Sequence, residues 1–349
     1  MAEHISENAP PLPASRSRET VTLADVARAA GVSTMTVSKV LRGTGAISPE
    51  TQKRIFAAAG SLGYVPNRLA GALSARKSML GAVLIPSIAD AIYSEILSSL
   101  HSLLDDASLS LFIAESRMDP QVEERQIHDL LALRPAFLIR SGGIASTAQA
   151  QKLIRRMGVA HVQIWDGDDT GGPVSAGPSH IEAGKIAASH FHDLGLRKVA
   201  YIGAETGKDL CAGRRMESFA GCMRAKGAET ALITDEHLPR QAESGEILTR
   251  RLLETYPGIE GIFYLNDAMA IGGLRTLLAA GYRVPDDVKV MGFNGTSREQ
   301  TIRTRLTTIS TDGWKLGQDV ANAVLELMAG RSPDQPITCP LTFHRGNTT

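Results

Sequence analysis

Cysteine is scarce in this chain. Three occur among 349 residues, Cys211, Cys222 and Cys339. The number is odd and no CxxC spacing is present, so neither a disulfide framework nor a zinc cage is expected, and the thiols read as reduced. No run of roughly 18 apolar residues exists to cross a membrane. The first residues, MAEHISENAPPLPASRSRE, are polar and proline-rich where a secretory signal would carry an apolar core. The expected compartment is therefore the cytoplasm, with no membrane partner. GxxxxGK[ST], HExxH and GxSxG are also missing, and the nine histidines show no ligand spacing with acids or cysteines. No nucleophile, phosphate cradle, metal or cofactor is expected, and the chain reads as a non-enzyme. DGDDTGG (residues 166–172) imitates a calcium loop, but its twelfth position is Gly177 where a bidentate Glu is needed.

Net charge is zero, yet it is unevenly spread. Up to Ser78 there are ten Lys and Arg against five Asp and Glu, leaving 27 against 32 for the rest of the 37 and 37. A basic head on an acidic body is consistent with a polyanion partner at one end only. The length implies two or three packed units.

Residues 1–19 hold little that could be buried and read as a disordered arm. Between Thr22 and Leu62 the apolar residues fall at helical spacing: Val26, Ala27 and Ala30, then Val37, Val40 and Leu41, then Ile55, Ala59 and Leu62. Three short helices are predicted in a domain over 20–65. From Met79 the pattern changes to short apolar runs, LGAVLIP, LSLFIAE, AFLIRS, AHVQIWD, KVAYIGA, GIFYLND and VKVMGFN, alternating with helix-length amphipathic stretches. Strands buried on both faces read this way, so the fold class is α/β with parallel sheets. Nearly 270 residues of it suit two sheets facing a cleft better than one wide sheet, with ligands at strand C-terminal ends.

The run TLADVARAAGVSTMTVSKVLRG carries the most specific signal. Thr22 can cap a first helix with Asp25 three residues on, Gly31 supplies a tight turn, and Ser33 caps a second helix. Val37, Val40 and Leu41 share one arc of that helix, leaving Thr34, Met35, Ser38 and Lys39 roughly opposite. Small hydroxyls, a Met and a Lys suit a major groove: Thr34 for base edges, Met35 for a thymine methyl, Lys39 for guanine O6 and N7. Ser38, Thr36 and Arg42 are better placed for phosphate. The competing reading is an ordinary helical hairpin with a solvated face.

That run and the following SPETQKRIFAAAGSLGYVPNRLAGAL together resemble the head of the LacI/GalR repressor family. The resemblance implies that Thr34, Met35 and Lys39 match base-reading positions and that paired heads bind a pseudo-palindromic operator. By physics alone VPNRLAGALSARKS is a marginal helix, with Gly71 inside it. The resemblance makes 66–78 a hinge helix and linker that orders on the operator, with Leu73 matching a leucine that wedges into the minor groove. The body is similar to the family's effector domain, which shares its fold with periplasmic sugar-binding proteins. It is expected over 79–349, with one lobe over about 79–179 and 312–330 and a second over about 180–311 and 331–349.

STMTVSKVLR, VLIPSIADAIYSEI and NDAMAIGG resemble gluconate-operon repressors within the family. Candidate effector residues are Ser87 and Tyr93 after the first strand, Arg140, His180, Arg215, Asn266, Asp267 and Asn294. Two arginines beside Asn, Asp and Tyr suggest an anionic polyol, since a guanidinium binds a carboxylate through two parallel hydrogen bonds. Alternatives stay open: Arg214 and Arg215 as a solvated helix start, Asp267 as an N-cap, and His180 as a hydrogen-bonder at the lobe hinge. Where relatives often carry an Asp-Asn pair, this chain has Ser179 and His180, which predicts a less acidic pocket. The expected function is a dimeric, ligand-responsive repressor of sugar-acid genes, with gluconate first and a ketogluconate second as inducer. Rival readings are another sugar effector, a head fused to a sugar-processing enzyme, and a transport binding protein.

Overall fold

A computed structural model describes residues 21–66, 78–168, 174–296, 304–333 and 336–349. The chain divides into two compact units, residues 1–77 and 78–349.

In the first unit, helix α1 (Leu23–Ala30) begins at a capping box in which Thr22 and Asp25 exchange hydrogen bonds. It ends at Gly31, whose φ of 63° is left-handed and costs a glycine nothing. Ser33 caps α2 (Thr34–Leu41) through the Thr36 amide, and Ser48 caps α3 (Pro49–Leu62), where Pro49 occupies the first turn. Val26, Ala27, Ala30, Val37, Val40, Ile55 and Ala59 form the core. Leu62, expected among them, is 38% exposed, and Tyr64 packs there instead, beyond the turn at Gly63.

The second unit holds two six-stranded sheets. The first sheet contains β1 (Leu80–Ile85), β2 (Ser110–Glu115), β3 (Phe137–Ser141), β4 (Ala160–Ile164), β5 (Val174–Gly177) and, late in sequence, β11 (Ile337–Thr338). Its order is β11-β5-β4-β3-β1-β2, and every pairing is parallel. Between these strands lie α4 (Ala91–Asp106), α5 (Pro120–Ala132) and α6 (Ala148–Met157). The second sheet contains β6 (Lys198–Ala204), β7 (Glu229–Asp235), β8 (Gly261–Tyr264), β9 (Lys289–Asn294), β10 (Thr307–Thr311) and β12 (Leu341–His344), in the order β12-β10-β9-β8-β6-β7. Among the described residues, β12 runs antiparallel to its neighbour and the other pairings of this sheet are parallel. Helices α7 (His180–Asp193), α8 (Leu210–Ala225), α9 (Ala242–Thr255) and α10 (Asp267–Ala279) belong to this lobe, while α11 (Gly313–Met328) crosses back to pack on α4.

Central strands are buried on both faces, as the apolar runs required: every residue of β8 and Gly81–Ile85 of β1 are buried. β2 departs from that expectation, with Phe112 52% and Ile113 42% exposed, because it is an edge strand. The expected assignment of 331–349 to the second lobe is corrected at β11. Ile337 pairs with Ala176 and the Cys339 amide donates to the Gly177 carbonyl, returning the chain to the first lobe before β12 joins the second.

One close approach sets the site. A Cβ on Gly184 of α7 would lie 2.6 Å from the Arg215 carbonyl, so glycine there lets the α8 backbone come near enough to bring Arg215 beside His180.

Candidate functional site

On α2, Thr34, Met35 and Lys39 are exposed, Met35 at 67%, while Val37 and Val40 are buried. An apolar side chain and a lysine thus stand in water on the face opposite the buried one. Ser38 is half-buried, its carbonyl accepting from the exposed Arg42 side chain at 3.0 Å. Thr36 is tied into the Ser33 cap. Leu73 and the expected hinge helix lie outside the described residues.

In the body the two lobes meet across an aromatic box. Tyr93 of α4 and Trp165, just past β4, come from the first lobe, with ring centroids 5.9 Å apart. His180 at the start of α7 and Phe293 of β9 come from the second, 5.7 and 6.3 Å from Trp165. The Arg215 guanidinium stacks over Phe293 at 3.9 Å, donates through Nη1 to His180 Nδ1 at 2.6 Å and through Nη2 to the Leu265 carbonyl at 2.9 Å. His180 Nε2 lies 2.8 Å from the Trp165 carbonyl, which can only accept, so the proton sits on Nε2 and Nδ1 receives Arg215. Burial first, and then the Arg215 charge, push the His180 pKa down to about 4. Arg215 is 4% exposed and its Nε has no hydrogen-bond partner.

The neighbouring cations differ from Arg215 in holding carboxylates. Arg214 clasps both oxygens of the buried Asp166 across the lobes, at 2.8 and 3.0 Å. Arg240 donates to Glu205 at 3.1 Å and to Asp209 at 2.6 Å, leaving Nη2 without a partner. Burial, the largest influence, works against the Asp209 carboxylate, but Arg240, His180, the Ala212 amide and Arg215 together hold its pKa below the usual range. Arg215 enters no salt bridge among the described residues.

The structure gathers only part of the expected effector set. Tyr93, whose hydroxyl meets Ser141 at 2.6 Å, His180 and Arg215 share the box. Asn266 caps α10 through Met269 and donates to the Arg240 carbonyl at 3.0 Å. Asn294, 6% exposed at the end of β9 with φ of 102°, has no partner for its Oδ1 among the described residues. Ser87 stands by Glu115 beyond β1. Arg140 lies apart from the box: its donors go to Glu123, Ser146, His161 and Gln163, all in the first lobe, because strand alternation puts it on the opposite face of β3 from Ser141. Asp267 is fully buried and accepts from Thr308 at 2.6 Å behind Gly292, and Asn266 is the cap.

The start of α7 at Ser179 and His180 still receives a carboxylate. Asp168 reaches back from the loop after β4 and accepts from Ser179 Oγ and the His180 and Ile181 amides at 2.6, 2.7 and 3.1 Å. A carboxylate is supplied there after all. Trp165, Phe293, Asp90, Asp209 and Arg240 escaped sequence reasoning. Trp165 and Phe293 ended recognisable strand runs and could have been flagged; Arg240, in a loop, carried no signal.

Comparison with known proteins follows these two units. Residues 22–67 match the family model described as bacterial regulatory proteins, lacI family, and residues 188–349 match the periplasmic binding protein-like domain. The HTH-type transcriptional regulator GntR of Pseudomonas aeruginosa is 35% identical over 89% of this chain and 90% of its own length. The crystal structure of a LacI-family transcriptional regulator from Silicibacter pomeroyi superposes with TM-score 0.88 at 31% identity, covering 94% of this chain and 99% of that one. The lac repressor dimer bound to operator and the anti-inducer ONPF gives 0.79 at 27% identity, covering 95% and 99%.

Proposed function

Because the chain belongs to the LacI family of ligand-responsive transcription regulators, we propose that it is a dimeric repressor of sugar-acid utilisation genes whose effector is a C6 sugar acid, gluconate before ketogluconate. The observation that carries this reading is Arg215, a guanidinium buried between lobes that hydrogen-bonds a neutral histidine and a carbonyl, stacks on a ring, and enters no salt bridge among the described residues. Asp209 and Asp90 act on it only through space; a buried cation not directly paired is costly, and an anionic ligand relieves that cost. The resemblance to gluconate-operon repressors supports the same chemistry. The lac repressor's operator-bound dimer supports paired heads, with Thr34, Met35 and Lys39 reading bases, Thr36, Ser38 and Arg42 meeting phosphate, and Leu73 wedging the minor groove.

In this reading effector binding shifts the lobes and lowers operator affinity, so that the two sites are coupled only through the body. Calorimetry with gluconate, glucose and a purine base tests it. Gluconate should bind, and Arg215→Ala should abolish the response while leaving operator binding in place. Glucose binding as tightly as gluconate would sink the carboxylate argument.

A further inference from the structure

The cleft is not uniform in charge. At Arg215 the partners are uncharged: His180 Nδ1, the Leu265 carbonyl and the Phe293 ring. Around Arg240 the balance is reversed. Glu205 and Asp209 both hold that guanidinium, at 3.1 and 2.6 Å, so its charge is already over-compensated. Asp90, the N-cap of α4 in the opposite lobe, adds a third carboxylate that acts on this group through space. Burial raises the Asp90 pKa and Asp209 adds to it, against the pull of Arg240, which acts on it more strongly than Arg215 does. Yet this end still offers an unpaired donor, Arg240 Nη2, and Asn266 is locked behind it on the Arg240 carbonyl.

A hydroxyl suits such a place, because it accepts from Nη2 while donating to a carboxylate oxygen. A second carboxylate or a phosphate can only accept, and it sets negative charge beside three acids. Building in repulsion against the wrong ligand is how sites of limited size discriminate. We propose that the cleft reads its effector in one direction, Arg215 taking a single carboxylate and the Asp90–Glu205–Asp209–Arg240 end taking neutral hydroxyls, so that it selects aldonic monoanions and rejects analogues oxidised or phosphorylated at the far carbon. Asp90 is the specificity-determining residue of that end. This rests on the sugar-acid reading above.

The test is calorimetry on the full-length protein with gluconate, glucarate and 6-phosphogluconate, repeated on Asp90→Asn. Asparagine keeps an oxygen for the Ile92 amide, so the cap of α4 survives. Gluconate should bind about ten-fold or more tightly than the two more highly charged probes, and D90N should narrow that gap by improving the probes relative to gluconate. A general loosening of the fold would weaken all three together and leave the ratio unmoved. Glucarate and gluconate binding alike, or a ratio unaltered in D90N, overturns the directional reading while sparing the sugar-acid one. Failure of all three acids beside a binding neutral sugar overturns both.

Discussion

His180 makes the stability of the body pH-dependent. An imidazole in the unfolded chain titrates near 6.5, whereas His180 in the fold is held at about 4, by burial first and by Arg215 second. Between those values the unfolded chain takes up the proton and the folded one does not. The stabilisation is therefore complete above about pH 6.5 and is lost as pH falls toward 4. From pH 7.5 to 5 the loss at this one residue is about 2 kcal/mol. His161, whose pKa burial and then Arg140 lower to about 3, adds a comparable loss in the same window. At about 2–4 °C per kcal/mol for a domain of this order of size, the wild-type melting temperature should drop by about 8–16 °C. His180→Gln isolates the contribution: its carbonyl can accept from Arg215 and its amide can donate to the Trp165 carbonyl, but it cannot be protonated. Differential scanning fluorimetry across that range should show roughly half the wild-type slope in the variant. An unchanged slope in H180Q would refute the assignment, because the proton would then be going elsewhere.

Lys39→Ala should cost about 1–3 kcal/mol of operator affinity and relax preference at one symmetric base pair per half-site. Equal losses on operator and random DNA in a binding titration would instead make Lys39 a phosphate contact. Arg140→Met leaves the buried Glu123 without its cation and should cost about 3 kcal/mol of stability, read as a lower melting temperature, with gluconate affinity unchanged within about two-fold. Lost affinity at an unaltered melting temperature would return Arg140 to the effector site.

What could be read along the chain was local. A helical period, a capping box and a turn glycine each involve residues a few positions apart, so Thr22, Asp25, Gly31 and Ser33 announced the head, and runs such as LGAVLIP announced central strands. Strands built of small or hydroxylated residues did not announce themselves: VSAG and TTIST are buried by their neighbours, without a hydrophobic signature of their own. The cleft was decided by tertiary structure. Arg140 and Arg215 looked alike in sequence, yet alternation along β3 turned one into the first lobe's polar network while the Gly184 contact brought the other onto His180 and Phe293. Asp168 supplies the carboxylate that positions 179 and 180 lack, and Arg240 acts on Asp90 through space from the opposite lobe. Charge pairing depends on separations of a few ångströms between groups far apart in the chain, and those separations exist only once the crossings between the two sheets have been made.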